Sequence, residues 1–110
     1  MIDDPKKTEF LIGALKESVP FTARMTPELV TELSKDAPMT RIADEGKVTE
    51  IFYTGDYGGI LCALEIAGFD VKKQCVVSIT HLRFDRKAPL FPEIEAYQRH
   101  RVKKLKKQQV

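Results

Sequence analysis

The sequence predicts an α+β fold: an antiparallel β-meander of three or four strands, with two N-terminal helices and a basic C-terminal helix. Three observations carry this reading. Up to Asp36, apolar residues recur at helical spacing behind two Pro-started segments. From Val48 to Phe84 the pattern changes to short stretches rich in β-branched and aromatic residues, separated by glycine-containing turns. After Pro89 and Pro92 helical spacing returns and the charge changes sign: residues 1–82 carry a net −4, residues 83–110 a net +6. Like charge concentrated near one end of a chain is kept as a solvated face or as a landing surface for an acidic partner.

Taking the elements in order, Asp4-Pro5 is an N-cap followed by Pro at the first helical position. Phe10, Leu11, Ala14 and Leu15 then keep helical spacing until Val19-Pro20, which predicts a helix over 5–18. Thr26-Pro27-Glu28 repeats that start. Met25 and Val30 are placed as a hydrophobic staple, and Leu29, Val30 and Leu33 form the buried stripe of a helix over about 27–35. Thr40 to Ala43 is read as a short strand ending in the turn Asp44-Glu45-Gly46-Lys47. Val48–Thr54, Ile60–Ile66 and Gln74–Phe84 are the long strands, joined through Gly55-Asp56-Tyr57-Gly58-Gly59 and Gly68-Phe69-Asp70. The last helix is expected from 93 to about 108.

Hairpins centred on Tyr57 and Asp70 would sort the sheet into two faces. Glu50, Phe52, Leu64, Val76 and Leu82 fall on the face expected to meet the helices. Ile51, Tyr53, His81, Arg83 and Asp85 fall on the other.

A length of 110 residues fits one domain that builds its core without metal or disulfide support. The 43% apolar and 31% charged composition sits near the globular average and favours neither a disordered nor a membrane class for the whole chain. No apolar run reaches the roughly 18–20 residues of a spanning helix, and the first residues lack the apolar stretch of a secretory signal. The assumed register sets Cys62 and Cys75 on opposite faces, so two reduced thiols and a cytoplasmic location are expected. No metal site is expected from two cysteines and two widely spaced histidines, and no cofactor is implied.

Candidate chemistry is sparse. The glycine run at 55–59 resembles an anion cradle in composition, but it joins two strands and carries Asp56, which favours a hairpin turn. Tyr53, His81, Arg83 and Asp85 alternate onto one face as a candidate surface cluster for anion recognition or acid–base work; the alternative is a strand end leaving the core. No nucleophile lies in a local signature sequence. The strongest motif is the run from Arg99 to Lys107. On a helical wheel Ile94, Tyr97, Val102 and Leu105 gather on one side, and Arg99, Lys103, Lys106 and Lys107 point away as a candidate polyanion-binding face. Cations near a helix C-terminus also oppose its dipole, which is the purely structural alternative. Arg101 falls inside the apolar stripe and Glu50 on the core-facing side of the sheet, which predicts a structural ion pair between them.

The turn Tyr53-Thr54-Gly55-Asp56-Tyr57-Gly58-Gly59-Ile60, the strand end His81-Leu82-Arg83-Phe84, and Lys87-Ala88-Pro89 leading through Pro92-Glu93-Ile94-Glu95 into a basic helix resemble, in layout, the RelE/ParE class of bacterial toxins. That resemblance covers residues 48–107. It implies a small ribonuclease partnered by an antitoxin, with Arg83, Lys87 and Tyr97 as the residues facing RNA. Those toxins usually open with a strand, where this chain opens on Asp4-Pro5. The function expected from the residues themselves is a non-catalytic interaction module that uses the basic helix against nucleic acid or an acidic protein, without a membrane role. A ribonuclease is one alternative, and a structural or dimerisation protein is the other.

Overall fold

The structure, a computed structural model, describes residues 3–36, 43–66 and 75–108. Helix α1 (Pro5–Ser18) starts as the sequence predicts. The Asp4 carboxylate accepts a hydrogen bond from the Lys7 N–H, and Pro5 occupies a first-turn position where no N–H is needed. α1 ends at Val19, ahead of a cis Val19–Pro20 peptide. Strand β1 (Phe21–Met25) follows, with Ala23 and Met25 buried and Thr22 and Arg24 exposed. In α2 (Pro27–Asp36) the Thr26 hydroxyl oxygen accepts from the Leu29 N–H, as an N-cap should.

The remaining elements are β2 (Glu45–Tyr53), β3 (Ile60–Ile66), β4 (Cys75–Ser78), a 3-10 turn (Ile79–His81), β5 (Leu82–Arg83) and α3 (Phe91–Gln108). The five strands pair antiparallel in the order β4-β3-β2-β1-β5. That order dictates the shape. β4 and β5 lie at opposite edges, yet only the 3-residue turn Ile79–His81 separates them. In a flat sheet four strand spacings would part them by about 19 Å. A 3-10 turn of that length rises only about 6 Å, so the sheet must curl until its edges approach.

The concave side holds the core. Val48, Ile60, Cys62, Ile79 and Leu82 are fully enclosed, and Leu11 and Leu15 of α1 with Ile94 and Tyr97 of α3 close over them. α1 packs on β2 and α3, and α3 packs on the 3-10 turn.

The α+β class and the helix layout follow the sequence reading, but the sheet differs in four respects. Among the described residues it has five strands, because β1 is added and the third long segment is split in two. The segment expected as one strand over Gln74–Phe84 breaks at Ser78, whose side chain accepts from the Thr80 N–H and starts the 3-10 turn. The chain then crosses to the far edge.

Next, β2 carries a bulge. Val48 pairs with Leu64 and Glu50 with Ala63, so Thr49 is an extra residue and the alternation reverses beyond it. Val48 and Ile51 therefore face the core, while Glu50 and Phe52 are exposed.

Finally, the β3–β4 register pairs Leu64 with Cys75 and Cys62 with Val77. Cys62 and Cys75 thus share the buried face as diagonal neighbours, not opposite faces, and both are free thiols. Diagonal neighbours sit roughly 7–8 Å apart, which is long for a disulfide. The strand read at 40–43 and the turn at 68–70 fall, apart from Ala43, outside the described residues.

Candidate functional site

Two constellations of side chains stand out, one buried and one exposed. The buried one is built around Arg101. Its position in the apolar stripe of α3 carries it inward, and its guanidinium Nη1 donates to both carboxylate oxygens of Asp3, at 3.0 and 3.1 Å. The two side chains are 3% and 0% exposed. Nη2 donates to the Asp56 carbonyl at 3.0 Å. Asp3 Oδ2 also accepts from the hydroxyls of Tyr53 (2.9 Å) and Tyr97 (3.0 Å), and the Tyr97 oxygen in turn accepts from the Ile60 N–H. One carboxylate and one guanidinium thereby lock the segment before α1, the β2–β3 hairpin and α3 together.

The glycine run is part of this lock. Thr54 N–H donates to the Gly59 carbonyl and Gly59 N–H to the Gly55 carbonyl, closing a hairpin turn. Gly59 has φ +66°, and a Cβ there would strike the Tyr97 hydroxyl and lie 2.7 Å from Arg101 Cζ. Its missing side chain is what lets the turn settle on the network. Burial and the neighbouring Asp3 charge raise both phenols, Tyr53 to about 12 and Tyr97 well above its ordinary value. Both therefore stay neutral hydrogen-bond donors.

Arg101 is buried and ion-paired to Asp3, not to Glu50 as the sequence predicts, because the bulge turns Glu50 to solvent. Asp3 was missed because a lone acid ahead of a helix carries no periodicity that marks it as buried.

The exposed constellation lies on the other flank of α3. The Gln98 amide donates to the Ile79 and Leu82 carbonyls, at 2.8 Å each, and so fastens α3 across the 3-10 turn. Between them runs a groove of about 520 Å³. Arg99, Lys103 and Lys106 border it from α3 and Arg83 from β5, with Phe84, Phe91, Ile94 and Val102 among the apolar residues that line it. Arg83 Nη1 donates to the Thr80 and Leu82 carbonyls, which holds its guanidinium in place. Arg99 pairs with Glu95 at 3.0 Å, the one acid in the lining. Arg83 also stands directly opposite Arg24 in the β1–β5 ladder, a like-charge pair that costs stability, partly offset by Glu45 opposite Arg24.

Of the residues proposed for polyanion contact, Arg99, Lys103 and Lys106 come together in this groove. Lys107 is exposed on α3 outside its lining. The cluster proposed from Tyr53, His81, Arg83 and Asp85 does not converge. Arg83 shares a cross-strand row with Arg24 and Glu45, whereas Tyr53 ends β2 at its opposite end, roughly 25 Å away at the usual strand rise. His81 lies in the 3-10 turn, where period-2 alternation does not hold. Asp85 accepts from the Lys87 N–H in a local turn.

Among the residues that the toxin resemblance singles out, Arg83 and Lys87 are exposed, but the Tyr97 hydroxyl is buried in the Asp3–Arg101 network. The opening α1-β1-α2 order also departs from that class. Among the described residues no helix is long and apolar enough to cross a membrane. In comparisons with known proteins, no protein-family model, curated protein or solved structure matches this chain.

Proposed function

We propose that this protein is a non-catalytic interaction module that binds a polyanion, nucleic acid foremost, along the outward flank of α3. The observation that carries the reading is the groove in which Arg83, Arg99, Lys103 and Lys106 face a common space against a single acid, Glu95. Cations gathered in one concavity raise the local potential more than the same charges scattered over a surface. Each Lys or Arg that neutralises a phosphate releases condensed counterions, and this favours association. The groove walls are fixed by backbone-directed hydrogen bonds from Gln98 and Arg83, so little ordering is required on binding.

The test is the salt dependence of binding to a labelled oligonucleotide, followed by fluorescence anisotropy. Affinity should fall steeply between about 50 and 200 mM salt, and Lys103→Gln or Lys106→Gln should each lower the log–log slope by about one. Lys107→Gln, outside the groove, should lower it less. All three positions are exposed on α3, so circular dichroism should remain that of the parent chain. Absence of binding at low salt would withdraw the reading in favour of a solvated structural helix.

A further inference from the structure

Resting on the polyanion reading, we infer that the groove beside α3 is built for single-stranded nucleic acid, with the phosphates on its cationic rim and base faces on its apolar floor. Charge alone would not suggest this. A duplex carries the higher charge density, so a purely electrostatic surface would favour double strands. The lining of this groove is not purely electrostatic. Phe91 lines it half-buried, and Val102 is 40% exposed between Arg99 and Lys103 on α3.

Val102 sits at the edge of the apolar stripe of α3, and the fold leaves it 40% exposed in the same lining as Arg99, Lys103 and Lys106. An unpaired base supplies the apolar face that would cover it. In a duplex those faces are stacked inside and only base edges, sugar and phosphate meet the protein, whereas a single strand offers phosphates and base faces together.

The geometry agrees in scale. From Arg99 to Lys106 the helix rises about 10 Å, and a space of about 520 Å³ falls in the range that encloses a drug-sized ligand. That suits one or two nucleotides of a strand passing through, with the rest of the strand outside. Arg83 on the facing wall, held by the Thr80 and Leu82 carbonyls and repelled by Arg24, is the cation best placed to gain from a phosphate.

The experiment compares four probes at one low salt concentration: a single-stranded RNA, a single-stranded DNA, the matching duplex, and inorganic polyphosphate, which has charge but no bases. The parent chain should bind both single strands more tightly than the duplex or polyphosphate. Phe91→Leu keeps the apolar filling and removes the aromatic face; it should weaken single-strand binding by about tenfold and leave polyphosphate binding unchanged. Because Phe91 also touches the core, Val102→Ser at an exposed position serves as the second variant and should act in the same direction. Equal affinity for all four probes, insensitive to both variants, would overturn the single-strand inference and leave the polyanion reading standing. Failure to bind any probe would overturn both.

Discussion

At the scale of single residues, the Asp3–Arg101 pair shows what was visible in the sequence and what was not. A charge inside the stripe of Ile94, Tyr97 and Leu105 announced that Arg101 needed a partner. The partner's identity depended on a register and a chain path that spacing does not encode. Removing one member of a buried ion pair strands the other in a poorly solvated site, which costs about 3–5 kcal/mol. Asp3→Ala should therefore destabilise the protein by that order in urea unfolding, with the hydroxyls of Tyr53 and Tyr97 also losing their acceptor. The double variant Asp3→Ala with Arg101→Met should recover most of the loss, since no charge is then left unpaired. A double variant as unstable as the sum of the singles would show that the pair has no coupling.

At the scale of elements, the helices were legible because capping and 3.6-residue spacing are local properties. α1 spans the predicted 5–18, and Thr26 caps α2 from within its own segment. The strands were legible as extended chain but not as a sheet. One bulge residue, Thr49, reverses the facing of everything beyond it in β2, and one residue of offset in the second hairpin moves Cys75 to the inner face. Neither leaves a mark in composition. The alternation Phe21, Ala23, Met25 against Thr22 and Arg24 did signal β1, but between two helix starts it looks like a linker.

The inward position of both cysteines has a chemical outcome. Burial pushes the Cys62 thiol up to about 12 and raises that of Cys75, so little thiolate is available for reaction. Titration with a disulfide reagent should find both thiols in denaturant and neither reacting readily in the native protein. Rapid native reaction at Cys62 would contradict its burial.

At the scale of the whole molecule, the curl of the sheet brings the 3-10 turn and β5 against α3, and this turns a linear run of cations into one wall of a groove. The basic face of α3 was legible in the sequence; the facing wall, with Arg83, was not, because it depends on the chain crossing between sheet edges.

The fold as a whole should also carry an alkaline limit. Tyr53 and Tyr97 have raised phenol pKa values in the folded state, so between their unfolded value near 10 and the folded value of about 12 for Tyr53 the native protein holds protons that the unfolded chain releases. The phenols' contribution is then fully present below about pH 10 and is lost as pH rises through 12, adding to the decline that the raised thiols begin near pH 9. Urea midpoints at rising alkaline pH should show that decline, and Tyr53→Phe should reduce its slope. A flat profile across this window would mean that neither burial nor Asp3 shifts the phenols in the folded protein.

The contact between Asp3 and Arg101 also sets an order of events. These two residues are 98 positions apart, so during synthesis Asp3 leaves the ribosome long before its guanidinium partner exists. Until then its carboxylate stays hydrated at no cost, and nothing obliges the segment before α1 to dock. The strands and the first two helices have closer neighbours and are free to associate earlier. When α3 arrives, the burial of both charges, the seating of the Gly59 turn and the alignment of two tyrosines become possible in one step. The lock therefore closes only when the hairpin and α3 meet in the register that brings Arg101 to Asp3.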